Sequence, residues 1–331
     1  MASRRRKKSG GRSYAWRYRG RIVACVFVEV IIICALVIMI GWNKGVKEWF
    51  EQFEQPVLKE VDISGINSPN AILMQVRGGK ILGEINGEAQ IYPASMTKIM
   101  TVILGIENFD DLDEKITLTD EMFAGLYEQD ATQAGFQPGE EVRVIDLLYG
   151  AMLPSGAECC IALADTISGS EADFAELMNK KAAKLGMDNT HFCDSTGLHN
   201  PDHYSTVKDI AVLMKYCIKN DTFREIIETA RHSTGVTNIH PDGITYYSTM
   251  FKNLSDPTVT GGKILGGKTG YTSEAGHCLV SFAEIEGREY IFVSAGASGA
   301  DGNTIPHIQD AVTVYNRVGA AIEAKMNDNN K

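Results

Sequence analysis

The sequence predicts a mixed α/β domain behind a single membrane-spanning helix, and three observations predict it. Strand patterns stand near both ends of the bulk of the chain, at 71–76 with 80–84 and at 278–283 with 290–295, and helical patterns fill the middle. Residues 22–42 are apolar apart from Glu29 and Gly41. Residues 1–21 carry nine Lys or Arg and no acidic residue.

At about 1.5 Å per residue, a helix over 22–42 crosses a hydrocarbon core of about 30 Å. The basic flank holds the N-terminus in the cytoplasm and sends the rest of the chain outward. A cleaved signal peptide has a shorter apolar region that ends in small residues, whereas this span ends Gly41-Trp42-Asn43-Lys44, so an uncleaved anchor is expected. Glu29 lies near enough to the inner end to snorkel or protonate. From residue 43 onward 23 basic residues face 41 acidic ones, a balance of −18 that argues against nucleic acid as a partner. Cys25 and Cys34 fall in the span and five cysteines lie beyond it, an odd number at irregular spacing that gives no disulfide framework.

The expected organisation is a basic cytoplasmic segment (1–21), the anchor (22–42), a juxtamembrane stalk (43–59), one folded domain (60–320) and a polar tail (321–331). In the stalk, Val46, Trp49, Phe50 and Phe53 form a helical stripe that Pro56 ends. The domain opens with a hairpin turning at Gly78-Gly79. A helix follows Pro93, another covers 144–153 and breaks at Pro154, and helical character resumes at 157–167. Further helices are expected at 170–185 and 206–217, then two strands joined at Gly287 and a last amphipathic helix over 305–325.

The chemistry centres on Ser95-Met96-Thr97-Lys98. At the start of a helix Lys98 shares a face with Ser95, so a hydroxyl and an amine become neighbours. A serine is a weak nucleophile until a base takes its proton, and a lysine serves only when burial or a nearby positive charge depresses its pKa. Two other segments complete such a site. Ser155-Gly156 occupies the kinked link between two helices, where a hydroxyl points into a cleft. Lys268-Thr269-Gly270 follows a glycine-rich run and opens a strand pattern; on an edge strand it offers a charge, a hydroxyl donor and room for a substrate backbone.

Taken in order, Ser95-Met96-Thr97-Lys98, Ser155-Gly156-Ala157 and Lys268-Thr269-Gly270 resemble the three motifs of the low-molecular-mass penicillin-binding proteins, the serine D-alanyl-D-alanine carboxypeptidases. The surroundings Tyr92-Pro93-Ala94, Gly197-Leu198-His199 with Tyr204-Ser205-Thr206, and Tyr271-Thr272 match as well, and the likeness covers about residues 60–320. It implies an α+β fold of the β-lactamase and transpeptidase type, an antiparallel five-stranded sheet sandwiched by helices. It implies Ser95 as nucleophile, Lys98 as base and Ser155 as proton relay, with Lys268 and Thr269 holding the terminal carboxylate of a peptidoglycan stem peptide and Gly270 and Tyr271 completing the substrate-binding set. The N–H groups of Ser95 and Tyr271 would form an oxyanion hole, and Lys268 would depress the pKa of Lys98. β-Lactam antibiotics would trap Ser95, and no cofactor or metal is called for.

The chain departs from the pattern where Ala157 replaces an asparagine, where only 61 residues follow Gly270, and where the anchor is N-terminal. Three rival readings follow. A β-lactamase on the same fold needs an added carboxylate base, and no convincing Glu-x-x-x-Asn segment stands between the second and third motifs. A transpeptidase would use an amine in place of water. Ala157 motivates the third, an impaired penicillin-binding scaffold.

Four other features have plainer readings. Gly262–Thr269 matches the phosphate-binding P-loop, but a strand pattern follows it instead of a helix. His199 and His203 have zinc-ligand spacing, but Pro201 opposes a helix, so they read as loop residues. His277 lies near the third motif, placed to touch substrate or to make a structural hydrogen bond. Asp146 and Glu158 read as helix-end or solvated charges.

Overall fold

The computed structural model describes residues 58–299 and 305–329, together with Val30. The expected segments 1–21, 22–42 and 43–59 lie outside the described residues, apart from Val30, Leu58 and Lys59. Among the described residues no helix is long and apolar enough to cross a membrane.

A hairpin of β1 (Asn70–Gln75) and β2 (Lys80–Ile85) turns through Gly78 and Gly79, both at positive φ. A 3₁₀ turn over Ala94–Thr97 then feeds α1 (Lys98–Asn108). A small hairpin of β3 (Lys115–Thr117) and β4 (Glu141–Arg143) leads into α2 (Val144–Met152), α3 (Ala157–Ser168) and α4 (Glu171–Leu185). Next come α5 (Val207–Cys217), α6 (Asp221–Glu228) and a second small hairpin, β5 (Arg231–Ser233) with β6 (Thr245–Tyr247). The chain ends with β7 (Thr258–Val259), β8 (Gly262–Thr272), β9 (Gly276–Ile285), β10 (Arg288–Ala297) and α7 (Pro306–Asn329).

The main sheet is antiparallel with order β2-β1-β10-β9-β8-β7, so strands from both ends of the domain meet where β1 pairs with β10. It has six strands where five were expected. The sixth, β7, is two residues turned onto β8 through Thr260-Gly261, too short to show a period in sequence. Both faces are covered. Ile72, Met74, Val280, Phe282, Ile291 and Val293 face the core shared with α1–α6. Their alternates Ala71, Leu73, Leu279, Ala283, Ile285 and Phe292 face Ile308, Ala311, Val314, Tyr315, Val318 and Ile322 of α7. That is the period of two expected of a strand met by the helical stripe of its cover.

Side chains cap the N-termini of α4, α5 and α6. Ser170 Oγ accepts from the N–H of Asp173, Thr206 Oγ1 from that of Asp209, and Asn220 Oδ1 from that of Phe223. Two differences from expectation stand out. The short helix α6 was not foreseen, and α7 runs to Asn329, through the stretch read as a polar tail. Cys159, Cys160, Cys217 and Cys278 are buried free thiols, as expected of small apolar residues, and Cys193 is half-buried.

The last helix is pinned to the start of the domain by one buried carboxylate. Asp310 accepts from the N–H and side-chain amide of Asn67 and from the N–H and hydroxyl of Ser68, at 2.6–2.9 Å. Asp310→Ala leaves these donors without their acceptor, and urea titration is expected to show a loss on the order of 3 kcal/mol.

Candidate active site

Three segments meet at a cleft of about 860 Å³. Ser95 sits in the 3₁₀ turn, not in the α-helix proper, and Lys98 is the first residue of α1. The tighter turn still brings the two together, and Lys98 Nζ lies 3.1 Å from Ser95 Oγ. Lys98 also donates to the carbonyl of Thr196 at 2.7 Å. Ser155, in the link between α2 and α3, donates to Ser95 Oγ at 2.9 Å. Lys268, in β8, donates to Ser155 Oγ at 3.0 Å and to the carbonyl of Thr269 at 2.9 Å. The result is one chain of contacts, carbonyl–Lys98–Ser95–Ser155–Lys268–carbonyl, with a hydroxyl pair between two lysine nitrogens.

Both lysines are buried. Burial first, and then the charge of Lys98, push the Lys268 ammonium well below the usual lysine value. Beneath them burial lifts the Cys160 thiol to about 12, so it stays protonated and inert. Ser95, Ser155, Thr269, Gly270 and Tyr271 line the cleft, whereas Lys98 and Lys268 stand behind the two serines. β7 pairs with only Gly262 and Lys263, so the Lys268–Tyr271 stretch has β9 on one side and the cleft on the other, the edge character expected for it.

Backbone geometry at this junction is unusual. Ala94 and Ser155 have φ of +46° and +74°, a region that costs a side-chain-bearing residue about 1–3 kcal/mol. Gly270 lets β8 close on the serine turn, because a Cβ there would come within 3.0 Å of the Ser95 nitrogen. Gly197, at φ +81°, is more tightly constrained, since a Cβ would lie 1.9 Å from the Ala94 carbonyl oxygen.

Several residues of the site were not foreseen. Asp194 accepts from Thr196 N, Thr196 Oγ1 and Gly197 N, and it contacts His203 Nδ1 at 3.0 Å. His203 is a loop residue, as expected, but it is buried there and its Nε2 meets Thr97 Oγ1 at 2.9 Å, so it braces the serine turn from beneath. Glu158 is at a helix end, in the first turn of α3, as one of its two expected readings has it, but it is buried and not solvated, because the loop after β3 folds over it and donates from Ala134 N and Gly135 N. Burial raises its pKa against those two bonds. That loop brings Gln129, Asp130 and Thr132 to the cleft, and the Thr132 carbonyl accepts from the N–H of Ala157. Asp146 is likewise buried, paired with Arg143 and His232. Gly262–Thr272 is one continuous strand, which leaves no phosphate-cradling loop. His199 lies on the cleft wall, edge-on to Tyr92, and His277 lines the same cleft.

A family model of D-alanyl-D-alanine carboxypeptidases matches residues 57–299. The chain belongs to the D-alanyl-D-alanine carboxypeptidase family. It is 35% identical over 231 residues to the D-alanyl-D-alanine carboxypeptidase DacF of Bacillus subtilis, covering 69% of this chain and 57% of that one. Against DacC of Escherichia coli it is 33% identical, covering 72% and 58%. Against the D-alanyl-D-alanine carboxypeptidase of Streptomyces strain K15 it is 34% identical, covering 69% and 78%. The chain thus spans less than two thirds of the first two relatives. The Streptomyces K15 DD-transpeptidase crystal structure superposes with a TM-score of 0.69 at 29% identity, covering 79% of this chain and all of that one. The likeness to that structure accounts for the sheet and its helical cover.

Two outcomes follow from this geometry. Gly197→Ala is expected to cost more than about 2 kcal/mol in urea titration, whereas Gly169→Ala, at a similar φ with nothing within 4 Å, costs about 1 kcal/mol. Burial alone would raise the Asp194 pKa, but the bond and charge of His203, with Thr196 and Gly197, hold it down to about 2. A depressed carboxylate stabilises the fold above its unfolded value near 3.8 and loses that contribution as pH falls through about 2. Between pH 4 and 2 the wild-type chain should lose on the order of 2 kcal/mol that Asp194→Asn does not.

Proposed function

We propose that this chain is a serine D-alanyl-D-alanine carboxypeptidase that removes the terminal D-alanine from peptidoglycan stem pentapeptides. The observation that carries the reading is Ser95 Oγ on a cleft wall within hydrogen-bond reach of both Lys98 Nζ and Ser155 Oγ. Lys98 in its neutral form takes the Ser95 proton along the 3.1 Å contact while Oγ attacks the carbonyl of the penultimate D-alanine. The backbone N–H groups of Ser95 and Tyr271 receive the developing oxyanion, a device worth about 3–4 kcal/mol per donor. As the C–N bond breaks, Ser155 gives its proton to the leaving nitrogen and is reprotonated with the proton that Lys98 took from Ser95, and D-alanine departs. Water then adds to the acyl-enzyme on Ser95 and releases the shortened peptide.

In this scheme Gly270 and the Thr269 hydroxyl, which meets Thr249 Oγ1 at 2.7 Å, face the substrate. Lys268 acts from behind Ser155, holding its hydroxyl and adding positive potential. A β-lactam would follow the same path to a slowly hydrolysed adduct. The basic segment 1–21 and the apolar span 22–42 support a cell-membrane anchor with the domain outside, where the stem peptides are. A second reading, transpeptidation, is favoured by the superposition on a DD-transpeptidase; an amine then replaces water as acceptor.

D-Alanine release from a pentapeptide ending in D-Ala-D-Ala, by the full chain beside Ser95→Ala, tests the proposal. Release is expected from the wild type and a loss of about 10⁴-fold or more from the mutant. Release only in the presence of an added amine, with a new peptide bond formed, would establish the transpeptidase in its place. No release in either condition, from a folded chain, would sink both readings.

A further inference from the structure

The cleft holds a pair of imidazoles to which the reaction as described gives no task. His277 lies near the start of β9 and His307 in the first turn of α7, with ring centroids 5.0 Å apart and planes 8° from parallel. Tyr271 packs against His277 at 4.7 Å, so the stack continues outward from Lys268-Thr269-Gly270. All three rings line the cleft. His307 is only 3% exposed, yet its Nδ1 has no hydrogen-bond partner among the described residues. An unsatisfied buried polar atom is costly, and a ligand that supplies its partner lowers that cost.

The charge on the cleft wall points to the kind of ligand. Among the described residues the wall carries Asp130 and Glu274 but no lysine or arginine, because Lys98 and Lys268 stand behind Ser95 and Ser155. A peptide ending in a carboxylate meets the hydroxyls of Thr249 and Thr269 and, as groups able to become cationic, only His199, His277 and His307. His199 already has Glu274 at 4.0 Å. The stacked pair is left to answer the carboxylate.

We propose that the His277–His307 stack reads the terminal carboxylate of the peptide and takes up a proton as that carboxylate binds. This rests on reading the cleft as a D-Ala-D-Ala peptide site. The groups facing His307 are His277 from β9, Tyr271 beyond it from β8, and Asp310 one turn along α7, itself engaged by Asn67 and Ser68. Burial first and His277 second bring His307 down to about 4, against the pull of Asp310, and burial lowers His277 too. The empty stack is therefore neutral at pH 7. A bound carboxylate favours its protonated form, so affinity falls as pH rises from about 4 to the pKa of the stack in the complex, and is flat above that.

The test is KM for D-alanine release between pH 5 and 9, in the full chain carrying wild-type His307, His307→Gln or His307→Arg. Wild-type KM is expected to climb by up to about tenfold per pH unit over part of this range. His307→Gln should raise KM at the acid end and flatten the slope, with kcat far less affected. His307→Arg should keep KM low and level, because a guanidinium does not titrate here. Histidine ¹⁵N NMR of the Ser95→Ala chain gives an answer independent of turnover: the His307 signal should move toward the protonated form with the peptide acid and not with the peptide amide. A level wild-type KM, an unaltered slope in His307→Arg, or a His307 signal indifferent to the peptide acid overturns the assignment alone. A wild-type chain that releases no D-alanine overturns the reading of the cleft, and the assignment with it.

Discussion

Two buried lysine side chains held apart by two hydroxyls are the constraint around which this domain is built. Like charges removed from water repel strongly and lose their hydration, so each must find fixed dipoles or give up its proton. Lys98 has the Thr196 carbonyl and Ser95 Oγ, and Lys268 has the Thr269 carbonyl and Ser155 Oγ. The same contacts align the two serines at 2.9 Å. What solvates the charges also orients the hydroxyl that the proposed reaction uses.

Holding that arrangement requires three distant segments to arrive in register, and the sheet supplies the register. The β1–β10 pairing ties the first strand of the domain to the last, and α7 closes the face opposite the helical core. Strain at Ala94 and Ser155 is tolerated because the surroundings are tightly packed: the Gly197 loop presses on the serine turn from one side and Gly270 of β8 from the other. Asp194 holds that loop through three hydrogen bonds, and His203 links it to Thr97, two residues from Ser95. The charge on Lys98 is thus positioned by residues about a hundred positions away in sequence.

The motif residues were legible because chemistry fixes their types at short spacing: Ser95 with Lys98, Ser155 with Gly156, Lys268 with Thr269 and Gly270. The central strands were legible from apolar runs that a sheet buried on both faces demands. What the sequence hid is decided by tertiary contact. Glu158 and Asp146 sit in the first turns of their helices, where carboxylates are usually solvated, and only the overlying loop and His232 bury them. β7 is two residues long, and α6, although capped by Asn220, is only eight. His307 has no neighbour in sequence that marks it; it reaches the cleft because α7 starts beside the start of β9. Ala157 stands where the resemblance implies an asparagine, and its N–H ties the second motif to the Thr132 carbonyl.

The central claim is that Ser95, activated by Lys98, is the one serine of the cleft that forms a covalent bond with substrate. Peptide-mapping mass spectrometry of the full chain after brief exposure to penicillin addresses it directly, with Lys98→Met treated in parallel. The account predicts a penicilloyl adduct on the peptide carrying Ser95, and almost none in Lys98→Met at the same exposure. An adduct on Ser155 or on any other serine, or undiminished labelling of Lys98→Met, would contradict it.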